Sequence, residues 1–514
     1  MMNADKAVLT IDGSNLTVED VVDVARNNIK VDLSKGTIAK LRASRAIVEK
    51  LIARKEKIYG VSTGIGELSN VILSPEQTRD FQRYLVYSHA AGWGDPVAID
   101  DARAAWLTRT NVLSKGYSGL RPIIVETIVE MLNKGVTPVM CQKGSVGASG
   151  DLSPLGQGAL VVIGEGEAFY RGNRMNGKEA MDKAGIKTVV LEARDGLAMI
   201  NGSNLVAGMG CLQVHDADTL VKTSEIAAAM TLEALLPNML AYDERIHRIR
   251  GYDGAIECAE NIRRIVRGSE VLRQKPQKVQ ESYSLRSTPQ VVGAAKDTLK
   301  FTRRLIETEV NGVGDNPVFF PDDDGTCLTG ANFQGTPLAF ALEFLGIALT
   351  TVGALSERRM NRLVNPNLSM GLPAFLTEGA GMFSGMMLAQ YTAASLVCEN
   401  RVLSTPAATG SIPTAADQED FVSMATTTAI KTKQIIKNSS AIIAVELMAG
   451  AQALDFRRPL KPGKGTRAAH DIVRKYVRHL DEDRPLYSDI TRLSEAVMAG
   501  EIQAAVENTI GSLR

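Results

Sequence analysis

The segment from Gly144 to Leu152 reads Gly-Ser-Val-Gly-Ala-Ser-Gly-Asp-Leu and consists almost entirely of small residues. Small residues tolerate the backbone angles of tight turns, and Asp and Ser are preferred where a helix begins. The simplest interpretation is therefore a tight turn followed by a helix that starts at Asp151 or Ser153.

A second interpretation concerns the backbone of Ala148, Ser149 and Gly150 at the centre of this segment. No large side chain would keep the Gly150 nitrogen from the Ala148 carbonyl carbon. Cyclisation with loss of two waters, one of which takes the Ser149 hydroxyl, would leave a 4-methylidene-imidazol-5-one ring (MIO). The twenty side chains include no strong carbon electrophile, and proteins usually give that role to a cofactor. The segment alone leaves both interpretations open.

The hydrophobic pattern changes near residue 203. Before it, β-like runs such as Val8 to Ile11 and Val189 to Leu191 alternate with Gly-rich turns and helical stretches. From about 203 to 460, long apolar stretches with helical periodicity are typical of a bundle of long helices. We predict a mainly α fold in three parts: an N-terminal α+β portion (1–202) that carries the small-residue turn, a long central helical bundle (203–460) and a C-terminal helical cap (461–514).

Composition points to a small-molecule partner. The 514 residues carry 58 basic and 58 acidic side chains, so no net charge favours nucleic acid or an anionic membrane. Five widely spaced cysteines predict no disulfide framework and favour a cytoplasmic location. The five histidines lack metal-ligand spacing, so no metal site is expected.

Membrane insertion and secretion are not expected either. The first six residues lack the pattern of a secretion signal. The apolar run from Leu338 to Leu355 includes Glu343 and therefore favours a buried core helix over a membrane span.

The small-residue segment, together with Leu155 and Gly164-Glu165-Gly166, resembles the histidine/phenylalanine/tyrosine ammonia-lyase and aminomutase family. The similarity runs from about residue 8 to residue 455. This resemblance implies that Ala148, Ser149 and Gly150 form MIO autocatalytically and that the protein removes ammonia from an aromatic L-amino acid. It also implies a homotetramer whose active sites combine residues from several subunits.

Upstream, Tyr59-Gly-Val-Ser-Thr-Gly-Ile-Gly66 reads by itself as a strand end and a Gly-rich loop. It is not a phosphate-binding Walker motif, because no Gly-Lys-Ser/Thr follows. In the family that the chain resembles, this stretch is a mobile lid loop whose tyrosine, here Tyr59, takes the β-proton of the substrate. A phenol has a reference pKa of roughly 10, so the site must stabilise the phenolate for that role.

Gln280, Tyr283 and Arg286 are spaced by three residues, which on a helix would place them on one stripe. A solvated helix face is the plain interpretation. The resemblance instead assigns Arg286 to the substrate carboxylate, for which a bidentate guanidinium is well suited. It implies that Gln280 and Tyr283 orient the substrate amine and the MIO ring, with Tyr283 as a second catalytic residue.

Two more residues are assigned by the resemblance. Asn201 ends an apolar run and could simply cap a helix or turn. In the family the corresponding amide lies beside the MIO ring and polarises its carbonyl. Phe333 matches the aromatic residue that packs against the ring, although core packing is an equally simple role.

Two positions bear on the substrate. Ser88-His89 matches the serine-histidine pair of histidine-specific members, which also occurs in some tyrosine-specific enzymes and aminomutases. Glu419 matches the glutamate of histidine-specific members, where tyrosine- and phenylalanine-specific ones usually carry glutamine. A carboxylate can accept an imidazole N–H and would be wasted on a phenyl ring. We therefore expect L-histidine as the substrate and trans-urocanate as the product.

Three departures oppose that expectation. Phe421 and Gln334 stand where histidine-specific members typically have histidine, and Gly156-Gln157 replaces a small residue and a histidine. Elimination from tyrosine or phenylalanine and a 2,3-aminomutase reaction therefore remain alternatives. A catalytically dead helical assembly protein is a further alternative, since fold does not guarantee function.

Overall fold

The computed structural model describes residues 8–276, 278–323 and 325–514, with the side chains of Pro75 and Arg79 left aside. The sequence prediction about the first six residues lies outside this part. Helices dominate the described residues, which confirms the predicted mainly α fold.

The α-helices, in chain order, are α1 (Val18–Arg26), α2 (Lys35–Ala53), α3 (Pro75–His89), α4 (Ile99–Ser114), α5 (Pro122–Lys134), α6 (Leu152–Val162), α7 (Gly177–Lys183), α8 (Asp195–Ile200), α9 (Asn204–Leu235), α10 (Glu244–Arg250), α11 (Asp253–Ile265), α12 (Tyr283–Arg286), α13 (Thr288–Val310), α14 (Thr336–Val364), α15 (Met387–Leu403), α16 (Ala425–Asp455), α17 (Lys464–Tyr476), α18 (Tyr487–Met498) and α19 (Glu501–Ile510). The strands are β1 (Val8–Ile11), β2 (Lys30–Leu33), β3 (Trp93–Pro96), β4 (Val136–Pro138), β5 (Cys141–Lys143), β6 (Glu167–Tyr170), β7 (Asn173–Asn176), β8 (Val318–Phe320) and β9 (Thr326–Leu328).

The chain divides into two compact units, each assembled from three separate segments. The first unit contains Met1–His215, Arg303–Glu343 and Pro406–Ile430. The second unit contains Asp216–Thr302, Phe344–Thr405 and Lys431–Arg514. These units are defined by contacts between residues. The predicted division at residues 202 and 460 was based on the sequence pattern, and it stays a prediction.

The first unit combines helices with short strands. β1 pairs with β2 in parallel, β3 with β5 and β8 with β9 antiparallel, and β4, β6 and β7 form a three-stranded antiparallel sheet. Local sequence explains several boundaries. Thr17 and Asp20 form a reciprocal capping box at the start of α1, and Gly135 ends α5 in the left-handed region.

One β-like run was interpreted wrongly. Val189 to Leu191 is not a strand, although Val189 donates a backbone hydrogen bond to Val162. Leu191 is buried and Val190 is 80% exposed, but the run pairs with no strand among the described residues, so its backbone is not fixed as a strand.

The second unit is helical and is held by a buried polar centre. Glu446 of α16 accepts hydrogen bonds from Thr231 of α9 and from Ser356 and Arg359 of α14, and all four side chains are buried. Because a buried charge is tolerated only when it is paired and hydrogen-bonded, this centre fixes how the three helices pack.

The predicted core helix from Leu338 to Leu355 lies within α14. This helix is long and apolar enough to cross a membrane by length and composition alone, and 61% of its most apolar window is buried inside the protein. A buried core helix passes the same test, so this helix gives only weak support for a membrane span.

Candidate active site

The small-residue turn lies against Gly202 in the first unit. Ser149 and Gly150 have left-handed φ angles of 50° and 83°. The Ser149 carbonyl accepts a hydrogen bond from the N–H of Gly202 at 3.2 Å, and the Gly202 carbonyl accepts one from Asp151 at 2.8 Å. A Cβ on Gly150 would lie 2.2 Å from the Gly202 carbonyl carbon. Residue 150 must therefore be glycine, and the turn is held in a conformation that side chains rarely adopt.

The turn is followed at once by α6, which begins at Leu152 with Asp151 as its N-cap residue. The predicted tight turn and helix start are therefore confirmed. The Asp151 carboxylate makes no capping bond to its own helix.

Asp151 is instead part of a buried polar path that the sequence interpretation missed. Its carboxylate accepts hydrogen bonds from the backbone N–H of Val206 at 3.0 Å and the Thr426 hydroxyl at 2.8 Å. Thr426 lies 2.9 Å from the hydroxyl of Ser145, which donates to the Gly150 carbonyl at 3.4 Å. Burial raises the pKa of Asp151 to about 6, against these hydrogen bonds. A protonatable carboxyl group is thus connected to the turn.

Glu309, near the end of α13, is a second acid with a raised pKa. Burial, and after it the negative charge of Asp151, raise its pKa to about 7. Nothing in the sequence distinguishes Glu309 from the other acids of α13, because its environment comes from residues far away in the chain.

Asn201 ends α8 beside the turn, as its position after an apolar run indicated. Its Nδ2 donates to the Asn316 carbonyl at 2.8 Å. Its Oδ1 is buried and has no partner among the described residues. Two residues further along the chain, the Ser203 hydroxyl donates to the backbone carbonyl of Phe333 at 2.9 Å. Asn201 and the Phe333 backbone are therefore both attached to the segment that supports the turn.

Tyr59 lies in a loop that forms turns and a short 3-10 helix (Gly66–Asn70), with no strand end. Its hydroxyl accepts a hydrogen bond from the backbone N–H of Gly66 at 3.0 Å. Burial raises the pKa of Tyr59, and Glu419 raises it further, whereas the Gly66 N–H and the positive charge of Arg194 lower it. The Gly66 N–H and the charge of Arg194 favour the phenolate, but burial outweighs them.

His89, the last residue of α3, has a defined tautomer. Its Nδ1 lies 2.7 Å from the carbonyl of Leu85, which can only accept, so Nδ1 carries the proton. The Nε2 of the neutral ring is therefore an acceptor. Burial lowers the pKa of His89, opposed by the Leu85 hydrogen bond and by Glu419, and so favours this neutral form.

Glu419 reaches the turn directly. The Ser149 hydroxyl donates to its Oε1 at 3.2 Å. The loop from Thr414 to Glu419 is closed by two backbone hydrogen bonds between those residues. Because Glu419 also influences Tyr59 and His89, the first unit brings these three candidate residues and Ser149 into one polar neighbourhood.

Three candidate residues lie in the second unit and line one cavity of about 620 Å³: Gln280, Tyr283 and Arg286. The prediction that one helix carries all three was wrong. α12 begins only at Tyr283, after Ser282 in an extended conformation, so Gln280 precedes the helix. The Arg286 guanidinium stacks on the Tyr283 ring, with its carbon 4.7 Å from the ring centroid.

Comparison with known proteins identifies the family. Residues 16–475 match the family model described as aromatic amino acid lyase. The chain is 47% identical over 503 residues to the histidine ammonia-lyase of Alkaliphilus oremlandii, covering 98% of this chain and 99% of that relative. The chain belongs to the aromatic amino acid lyase family.

Solved structures of this family agree. The tyrosine aminomutase from Streptomyces globisporus superimposes with a TM-score of 0.94 at 38% identity, covering 98% of this chain and 100% of that chain. The histidine ammonia-lyase from Trypanosoma cruzi superimposes with a TM-score of 0.91 at 33% identity, covering 98% and 96%. The protein is therefore an enzyme of the carbon–nitrogen lyase class.

The positions that differ from the pattern of histidine-specific members contact other residues in the structure. The amide of Gln334 donates to the carbonyl of Phe421 at 3.5 Å, so these two positions are neighbours. A Cβ on Gly156 would lie 3.3 Å from the Cβ of His89, so the glycine lets α6 approach the end of α3 closely. Gln157 accepts the backbone N–H of Cys141 at 2.7 Å and thereby supports β5.

In the part of the chain that the structure describes, no three His, Cys, Asp or Glu side chains lie close enough together to hold a metal ion. All five cysteines are free thiols.

Proposed function

We propose that this enzyme eliminates ammonia from L-histidine to give trans-urocanate. The observation that carries the proposal is the carboxylate of Glu419, which lies 3.2 Å from the Ser149 hydroxyl at the turn. A carboxylate at this position can accept the N–H of an imidazole ring, which a phenyl ring cannot offer. The 47% identity to a histidine ammonia-lyase over nearly the whole chain supports the same substrate.

The residues around the turn fit a MIO group formed from Ala148, Ser149 and Gly150. Gly150 leaves no space for a side chain, and Ser149 already adopts a left-handed conformation. Asn201 donates one amide hydrogen to the Asn316 carbonyl, so its second amide hydrogen would remain for the carbonyl of the MIO ring. Asn201 and Phe333 would hold the ring. MIO supplies an electrophilic carbon for the substrate amine.

The side chains then have separate tasks. Arg286 binds the substrate carboxylate, and Gln280 and Tyr283 orient the amine and the ring system. Glu419 accepts the imidazole N–H, and the unprotonated Nε2 of His89 offers a second acceptor to the substrate ring. Tyr59 removes the β-proton, with the Gly66 N–H stabilising its phenolate. Fixing the carboxylate and the ring together orients the β-carbon toward the base.

We further propose a cytoplasmic homotetramer. The candidate residues fall in both compact units, and the family resemblance implies active sites shared among subunits. Five exposed apolar side chains on α14 and α15 would suit an interface between copies: Phe344, Ile347, Leu388, Tyr391 and Val402.

A reaction of tyrosine or phenylalanine, either elimination or 2,3-amino transfer, is the second candidate. It is favoured by the contact between Gln334 and Phe421, because two histidines that accompany histidine specificity are replaced together. The similarity to a tyrosine aminomutase structure supports it as well.

The deciding experiment gives purified enzyme L-histidine, L-tyrosine and L-phenylalanine separately and follows ultraviolet absorbance, with Ser149→Ala protein as the blank. We expect urocanate from histidine alone. Coumarate, cinnamate or a β-amino acid found by chromatography, without urocanate, would overturn the histidine assignment in favour of the second candidate.

A further inference from the structure

Two residues that line the 620 Å³ cavity of the second unit each carry a buried polar atom without a partner among the described residues. These atoms are the Nε of Arg286, a donor, and the Oε1 of Gln290, an acceptor. Leaving a buried donor or acceptor unpaired costs free energy, so such atoms in a native structure call for an explanation. A volume of this size is typical of small-molecule sites.

The backbone around these two atoms is firmly anchored. Tyr242 donates its hydroxyl to the Leu285 carbonyl at 2.5 Å, and Asn238 donates its amide to the Val279 carbonyl at 3.1 Å. Gln290 lies in the first turn of α13, four residues after Arg286. The backbone on either side of the two residues is therefore held in place, as a preformed binding site requires.

The charge around the cavity favours a ligand with a negative end. Arg250 and Arg286 both line it, and Glu281, the one carboxylate among its described lining residues, accepts the backbone N–H of Asn238 at 3.1 Å. The Oε1 of Gln290 is thus a buried acceptor to which no described residue donates. A ligand that carries both a carboxylate and an N–H donor would offer a partner to each of the unpartnered atoms.

We propose that Gln290 binds the α-amino group of the substrate while Arg286 binds its carboxylate. This inference rests on the proposed function for the role of Arg286 and adds a residue that neither the sequence pattern nor the family resemblance singled out. Gln290 would act together with Gln280, which is exposed and orients the amine from the open side, because the acceptor atom of Gln290 is buried. The recognition concerns the amino-acid headgroup and is independent of the substrate side chain.

The test measures ligand binding by calorimetry in Ser149→Ala protein, which is full length and is expected not to turn substrate over. Each amino acid is paired with its desamino analogue: L-histidine with imidazole-4-propionate, and L-tyrosine with 4-hydroxyphenylpropionate. Adding Gln290→Leu should raise the Kd of the bound amino acid about tenfold and leave that of the desamino analogue within about twofold, because one hydrogen bond is lost. Gln274→Leu, an exposed glutamine of the same unit, is the matched control and should change neither Kd.

The outcomes separate this inference from the histidine assignment. A Gln290 effect seen with tyrosine, in a protein that does not bind histidine, would support the headgroup site and overturn histidine as substrate. An equal loss for the amino acid and its desamino analogue would overturn the inference, since Gln290 would then only position Arg286 or support the fold. No change for either ligand would overturn it too, because water in the cavity would then suffice for the Gln290 oxygen.

Discussion

The hydroxyl of Tyr59 accepts a hydrogen bond of 3.0 Å from the backbone N–H of Gly66, seven residues further along the same loop. The loop therefore carries both the proposed base and a donor that stabilises its ionised form. Burial and Glu419 act in the opposite direction and keep the pKa of Tyr59 above its usual value of 10.0. A phenolate held in this balance is scarce at neutral pH but strongly basic.

Replacement of Tyr59 by phenylalanine should lower kcat by about 10²- to 10⁴-fold, the usual contribution of a general base. Because the base acts as a phenolate and its pKa is raised, kcat of the unmodified enzyme should increase with pH throughout the neutral range. The check is a pH profile at saturating substrate for both proteins. A flat profile between about pH 6 and about pH 9 would argue against Tyr59 as the base.

Glu419→Gln should have two separable effects. Losing a charge-assisted hydrogen bond to the substrate ring should lower kcat/KM for histidine by about 10- to 100-fold. Removing the negative charge should also lower the pKa of Tyr59, so the rising limb of the pH profile should move to lower pH. Asp417→Asn, an exposed carboxylate of the same loop, is the control and should shift neither quantity. If the rising limb of the pH profile stays at the same pH in Glu419→Gln, the charge of Glu419 does not control the pKa of Tyr59.

Glu309→Gln should change how stability depends on pH. The pKa of Glu309 is raised from 4.5 in the unfolded chain to about 7 in the folded protein, so the folded state holds this proton more tightly. Its stabilising effect is complete below about pH 4.5 and is lost as the pH rises through about 7. In urea unfolding, the free energy of unfolding of the variant should rise relative to that of the unmodified protein between about pH 5 and about pH 8, by up to about 3 kcal/mol. If the free energies of unfolding of the two proteins change in parallel with pH, the pKa of Glu309 is not raised in the folded protein.

Glu446→Ala should destabilise the second unit severely. The substitution leaves the buried guanidinium of Arg359 without its carboxylate partner, which typically costs about 3–5 kcal/mol. Glu130→Gln, which removes an exposed ion pair with Lys134, should change the free energy of unfolding by no more than about 0.5 kcal/mol. Denaturant unfolding of both variants checks the contrast, and similar effects would mean that the buried pair is not what holds α9, α14 and α16 together.

Local signals in the sequence were sufficient for much of the fold. The 3.6-residue periodicity predicted the long helices, and the small residues around Ser149 predicted the turn before α6. Spacing alone failed for Gln280, because a helix was assumed to extend back over residues that are not helical. The Val189 to Leu191 run failed because a strand depends on a pairing partner that local composition does not reveal.

The site was only partly accessible from the sequence. The resemblance pointed to Glu419, and the structure places it on Ser149, 270 residues away in the chain. Asp151, Thr426 and Glu309 were missed because their importance arises from burial and from partners distant in sequence. Gln290 was missed for the same reason, since an unpartnered buried oxygen is a property of the folded protein alone.

The most direct test of the account is the mass of the proteolytic peptide that contains Ala148, Ser149 and Gly150. This peptide from the active enzyme should be lighter than its sequence by two waters, whereas the Ser149→Ala peptide should form no methylidene group and should come from an inactive protein. An active enzyme whose peptide has the full, unmodified mass would contradict the claim that the backbone of this turn becomes the electrophile.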